Sequence, residues 1–126
     1  MKYITLTASE TLVMKCIWST SQELSLGDIF EMVNKQYHKN WKYQTVSTFL
    51  AKLVQKGFVC TRREGHRIFY QVLIAESDYR AEQAFEFVNF WNKGSISQFI
   101  LSFHKEKSLT KQEIEEIKTI LHQFES

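Results

Sequence analysis

Fifteen residues, Lys42 to Lys56, constrain this chain more than any other segment. Val46, Phe49, Leu50, Leu53 and Val54 recur at i, i+3, i+4, i+7 and i+8, the spacing of one face of an α-helix. The other face holds Gln44, Thr45, Ser47, Thr48, Ala51 and Lys52, which are short, polar or cationic, with no acid among them. A merely solvated face would carry long Glu and Lys side chains. Short polar ones let a helix backbone sink into the DNA major groove and reach base edges and phosphates. Gly57 follows, then an alternating run Phe58 to Glu64, Gly65, and a second run His66 to Ile74. Helix, then basic hairpin, is the order of a winged helix-turn-helix.

The charge distribution supports a polyanionic partner. Residues 1–75 hold ten Lys/Arg against five Asp/Glu, net +5, whereas residues 76–126 hold six against nine, net −3. Between Lys39 and Arg67 seven cations face the lone Glu64. An excess that coincides with a recognition-type helix and hairpin is an electrostatic footprint for nucleic acid. Hydrophobic content of 44% is ample for a folded core. No apolar run nears the roughly 18 residues that span a membrane, and residues 1–20 lack a signal-peptide pattern, so a cytoplasmic protein is expected. Cys16 and Cys60 stand alone, without CxxC or CxC spacing, and are expected to be small core filler; no metal or cofactor is expected.

Helix boundaries are marked by local capping signals. Thr7-Ala8-Ser9-Glu10 opens a first helix with Leu12, Val13, Cys16 and Ile17 on one side, running to about Ser19. Residues 21–24 are a connector or a minor third strand. Ser25 and Asp28 open a second helix with Ile29, Phe30 and Val33 inward, fading near Tyr37. After the hairpin, Glu76 to Lys93 reads as a long helix stopped by Gly94. Ser95 caps a shorter one, and Thr110-x-x-Glu113 opens the last. The expected fold is therefore mainly α with a small β-hairpin: a winged helix-turn-helix DNA-binding domain over 1–75 plus a three-helix dimerisation region over 76–126. The tail's eight aromatics are too apolar for fifty residues standing alone. Tyr79, Phe85, Val88, Trp91, Phe99, Ile100, Phe103, Ile117 and Leu121 are the candidate dimer contacts. The alternative is a tail folded back on its own wing domain.

Taken in order, Leu6-Thr7-x-Ser9-Glu10-x-x-Val13-Met14-x-x-Ile17-Trp18, Trp41-x-x-x-Thr45-Val46-x-Thr48-x-Leu50-x-Lys52-Leu53-x-x-Lys56-Gly57, Gly65-x-x-x-x-Tyr70, Gly94-Ser95 and Leu109-Thr110-x-x-Glu113-Ile114 resemble the penicillinase and methicillin-resistance repressors, the BlaI/MecI family. The resemblance spans Ile4 to Leu121. It implies a homodimeric repressor that sits on an inverted-repeat, palindromic DNA operator near promoters. Carried over, Lys42, Gln44, Thr45, Ser47, Thr48 and Lys52 become recognition-helix contacts, and Arg62, Arg63, His66 and Arg67 become wing contacts to phosphate. His66 stands where many relatives have Arg, which weakens that contact or makes it pH-dependent. Lys52 replaces a common Arg, keeping phosphate attraction without bidentate guanine reading. The copper-responsive branch ends in CxC pairs, and no cysteine follows Cys60 here, so copper sensing through that site is excluded. In the β-lactam-responsive branch a sensor-linked protease cuts just before a phenylalanine in the dimerisation region; Ser102-Phe103 is the matching pair.

Other function classes fit less well. The four His are scattered, and neither a Gly-rich phosphate loop nor a nucleophile motif exists, so no enzyme is expected. A winged helix used as a protein-docking adaptor would carry an acidic or apolar recognition face. A small ligand controlling the dimer stays open, because helices packed across a dimer can enclose a pocket.

Overall fold

In the computed structural model, which describes residues 2–125, six helices and a small sheet follow one another as α1 (Ala8–Trp18), β1 (Leu24–Ser25), α2 (Leu26–Gln36), α3 (Tyr43–Gln55), β2 (Val59–Glu64), β3 (Arg67–Val72), α4 (Glu76–Asn92), α5 (Ile96–Glu106) and α6 (Lys111–Glu125). The capping boxes act as their spacing dictates. Thr7 Oγ1 accepts from the Glu10 amide while the Glu10 carboxylate accepts from the Thr7 amide, and Ser25 with Asp28 repeats the exchange. The connector before α2 contributes a two-residue strand: Leu24 and Ser25 pair antiparallel with Tyr70 and Phe69, giving a three-stranded sheet in the order β1-β3-β2. Two residues leave no alternation to read, which is why the sequence offers this third strand only as one of two readings of the connector.

The chain divides into two compact units, Met1–Glu82 and Gln83–Ser126. In the first, α3 packs on α1 and α2, and Val46, Leu50 and Leu53 are fully buried beside Val13, Met14, Ile29 and Val33. Val54, expected on the inward face, lies 38% exposed at its edge. The turn before α3 is clamped by Asn34, whose carboxamide accepts from the Trp41 amide (2.9 Å) and donates to the Trp41 carbonyl (3.1 Å). At its far end α3 stops in a Schellman arrangement: Phe58 N–H donates to Leu53 O, Gly57 N–H donates to Val54 O, and Gly57 adopts φ 84°.

The first unit reaches seven residues beyond Ala75, because α4 begins inside it. Tyr79, expected at a dimer interface, is 7% exposed and belongs to the first unit's core, its ring edge-on to Phe58 at 5.2 Å and its hydroxyl accepting from the Leu6 amide at 2.9 Å. Cys16 is fully buried as expected, but Cys60 is only partly covered; it lies on the outer sheet face, where its thiol meets Gln71.

In the second unit Phe87 packs on Trp91 and Phe99, and Ser95 and Thr110 cap α5 and α6. Val88 is buried, yet no residue of α5 or α6 is. Phe85, Phe90, Trp91, Ile96, Leu101 and Phe124 are each more than half exposed. Between α5 and α6 runs a largely apolar groove of about 290 Å³ lined by Phe99, Ile100, Phe103, Leu109, Ile117 and Ile120 together with Glu113 and Glu116.

A buried ion pair joins the start of α1 to the end of α3. The Glu10 carboxylate, 2% exposed, meets Lys56 Nζ at 2.5 Å. Burial pushes the Glu10 carboxyl up, but the hydrogen bonds from Lys56 and from the Thr7 amide outweigh it and hold it below its ordinary value of 4.5. A depressed carboxyl contributes stability that is fully present above the unfolded-state pKa and is lost as pH falls through the lower folded-state value. Urea unfolding followed from neutral pH to about pH 3 is therefore expected to show Glu10→Gln less stable than the native chain near neutrality, with the gap closing below 4.5. A gap independent of pH would mean the ion pair contributes nothing.

Candidate nucleic-acid interface

Burial of Val46, Leu50 and Leu53 forces the opposite face of α3 outward. Lys42, Gln44, Thr48 and Lys52 are exposed, and Thr45 and Ser47 are half-buried at the rim of that face. The helix starts at Lys42 with no side-chain cap and no acid in its first turn. Its first amides are therefore left for another acceptor, at the positive end of the helix dipole. Thr48 spends its hydroxyl proton on the Gln44 carbonyl at 2.9 Å. What it presents outward is an acceptor oxygen and a methyl group, a pair that suits an adenine or cytosine amino group and a thymine methyl.

The wing tip turns through Gly65 and His66, with Glu64 paired to Arg67. A two-residue hairpin loop needs positive φ at its first central position, and Gly65 supplies φ 61° there. Strand alternation then sorts the wing cations. Arg63 sits opposite Ile68, on the sheet face that also carries the buried Val59 and Tyr70. Among the described residues it meets no carboxylate. Arg62 sits opposite Phe69 on the outer face and is engaged on three sides: Glu23 at 2.8 Å, Glu64 at 3.0 Å, and the Phe69 ring at 4.8 Å. The hydrogen bond from Arg62, helped by one from Gln71, pulls the Glu23 carboxyl down against the cost of burial, and the Arg62 guanidinium is raised in turn by Glu23 and Glu64. Arg67 also lies over the Phe69 ring, at 5.1 Å, and donates to Ser25 Oγ at 3.2 Å. Of the ten expected contacts, the fold thus brings six together on α3 and places Arg63, His66 and Arg67 along the wing. Arg62 is turned to a structural pairing that charge sign alone does not reveal.

Tyr43 is the residue the sequence pattern passes over. Its ring lies tilted against Phe30 with centroids 5.4 Å apart, is half exposed, and borders a hollow of about 260 Å³ with Ser25, Gly27, His66, Arg67 and Ile68. The signal was its position, the first residue of α3 directly after Lys42. Among the described residues no cluster of His, Cys, Asp and Glu could hold a metal, and no helix is long and apolar enough to cross a membrane.

Three helices with an outward polar α3 and a basic three-stranded wing define a winged-helix DNA-binding protein. A model of the penicillinase repressor family matches residues 6–123, and the chain belongs to that family of transcriptional repressors. It is 32% identical over 118 residues to the methicillin resistance regulatory protein MecI of Staphylococcus aureus, covering 93% of each chain. It is 29% identical to the penicillinase repressor of Bacillus licheniformis, over 94% of this chain and 90% of that one. Among solved structures it is similar to the monomeric form of Bacillus licheniformis BlaI in complex with the blaP half-operator, at 31% identity and TM-score 0.52, over 62% of this chain and 92% of that one. The DNA-binding domain of BlaI aligns equally well, at 32% identity and TM-score 0.52, over 63% and 94%. The protein is accordingly a DNA-binding transcriptional repressor and not an enzyme.

Neutralised phosphates release counterions, so the log–log slope of affinity against salt falls by about 0.9 for each phosphate contact removed. Arg63→Ala is expected to shallow that slope by about one contact, whereas Arg62→Ala leaves the slope nearly unchanged. Equal loss of slope in the two variants would show that Arg62 leaves its carboxylates to bind DNA.

Proposed function

We propose that the chain represses transcription as a cytoplasmic homodimer seated on an inverted-repeat operator, one α3 in each of two successive major grooves. The observation that carries this reading is the outer face of α3: short, polar, acid-free, and fixed outward by three fully buried residues behind it. Lys42, Gln44, Thr45, Ser47, Thr48 and Lys52 contact the groove and its flanking phosphates; Arg63, His66 and Arg67 contact the backbone from the wing. Tyr43 and the first turn of α2 close the hollow beside them against a phosphate. Dimerisation is supported by the second unit, where α5 and α6 bury nothing and seven large apolar side chains are more than half exposed. Phe85, Trp91, Phe99, Ile100, Phe103, Ile117 and Leu121 supply that interface, whereas Val88, expected among them, is buried within its own chain; a two-fold axis presents two recognition helices to a palindrome.

Fluorescence anisotropy with the DNA upstream of the chain's own gene, beside a shuffled duplex, tests the reading. The native chain should prefer its own duplex, and Thr45→Ala/Thr48→Ala should cost about 1–3 kcal/mol per lost contact and abolish most of that preference. Equal affinity for both duplexes would remove these residues from the site.

Relief of repression fits cleavage by a sensor-linked protease between Ser102 and Phe103. Both lie in α5, a helix that buries no side chain within its own chain, so outside the dimer contact little opposes the local unfolding a protease needs. Induced cells should accumulate an N-terminal fragment ending at Ser102. Full-length protein persisting during derepression would favour instead a small apolar ligand in the groove between α5 and α6.

A further inference from the structure

Gly27 is the second residue of α2, a place where glycine weakens a helix relative to alanine. Neither common structural reason for such a glycine applies to it. Gly57, Gly65 and Gly94 adopt positive φ, whereas Gly27 does not. Nor is it crowded, since a Cβ added there would meet Ser25 Oγ alone, at 3.9 Å. Its bare backbone instead leaves open the hollow of about 260 Å³ that Tyr43, His66 and Arg67 share with the start of α2. That volume is several times the roughly 30 Å³ of a water molecule and has room for a phosphodiester group.

The side chains around the hollow suit an anion. Arg67 donates to Ser25 Oγ at 3.2 Å and lies over the Phe69 ring, and among the described residues it pairs with no carboxylate. Phe30 stands three residues after Gly27 and so on the same side of α2. The Tyr43 ring lies tilted against Phe30 with centroids 5.4 Å apart, which holds the phenol at the border of the hollow. Its hydroxyl has no hydrogen-bond partner among the described residues. No acid among those residues lines the hollow. Asp28, next in sequence, accepts from the Ser25 amide at 3.0 Å and caps its own helix.

We propose that Gly27 is a DNA-contacting residue, whose missing side chain admits one backbone phosphate of the operator to this hollow, where Arg67 and the Tyr43 hydroxyl hold it. This role rests on the reading given above, in which α3 and the wing meet DNA together. Glycine lets a main chain come close to a ligand. A side chain at this position would stand where the phosphate oxygens sit and push them out of reach of both donors. Because α2, α3 and the wing all border the hollow, the seated phosphate fixes how deep the recognition helix enters the groove. It positions the helix and carries no base information of its own.

The experiment uses the full chain and a duplex it selects from a random-sequence pool. Single phosphates of that duplex are replaced in turn by uncharged methylphosphonates, and each duplex is titrated with the native chain, Gly27→Ala, Gly27→Leu and Tyr43→Phe. Neutralising the seated phosphate should cost the native chain about tenfold in affinity. On the unmodified duplex Gly27→Ala should lose about threefold and Gly27→Leu about tenfold, although both enter open space as better helix formers and should melt no lower than the native chain. In Gly27→Leu, neutralising that same phosphate should cost less than about twofold more, while every other phosphate costs what it costs the native chain. Tyr43→Phe should lose sensitivity at the same position. Losses that add at every phosphate overturn the inference, and so does native affinity in Gly27→Leu. Lowered melting of both glycine variants also overturns it, by giving the glycine a structural role. A native chain indifferent to every phosphate would overturn the underlying reading of α3 and the wing as well.

Discussion

The burial of one face of α3 is the constraint from which the rest follows. Val46, Leu50 and Leu53 have no access to solvent, and each fully buried aliphatic side chain contributes about 1.5–3 kcal/mol of transfer free energy. That packing leaves the helix no freedom to roll about its axis. The residues a quarter to half a turn away, Gln44 to Lys52, are therefore displayed at a defined angle. At one end the Asn34 clamp on Trp41 sets where the helix begins, and at the other Gly57 and the Glu10–Lys56 pair set where it stops. The recognition surface is a by-product of core packing, held rigid by it and needing no ligand to form.

Rigidity on one side contrasts with an unfinished surface on the other. The first unit buries its core completely, whereas the second leaves Phe90, Trp91 and Phe124 at 77%, 66% and 76% exposure. In the reading proposed above, a second chain covers that apolar surface and multiplies two modest half-site affinities into one tight operator complex. The switch proposed above exploits the same asymmetry. A cut in α5 damages the unit with no core of its own and leaves the DNA-reading unit folded, so each half then binds with only its own affinity.

Local signals were the legible ones. The capping pairs Thr7/Glu10, Ser25/Asp28 and Thr110/Glu113 span four residues each, and helix starts followed from them directly. The inward and outward faces of α3 and the wing turn at Gly65 were equally readable, because period and turn chemistry are properties of neighbours in sequence. What escaped were long-range partners. Tyr79 falls on an apolar stripe that suits a dimer seam, but its hydroxyl partner is the amide of Leu6, 73 residues away. Arg62 has the sign of a phosphate contact, yet Glu23, 39 residues upstream, already holds it. β1 is too short to carry a pattern, and its existence depends on β3 being there to receive it.

Backbone amide chemical shifts of the full chain, recorded while its operator duplex is titrated in, test the central claim most directly. Large changes are expected to cluster at Lys42 to Lys52 and Arg63 to Arg67, with a smaller set at the first turn of α2. The outer sheet face around Cys60, Arg62 and Gln71 should stay nearly still. Changes centred on that outer face, or on α5 and α6 with α3 silent, would contradict the account and place the DNA elsewhere on the molecule.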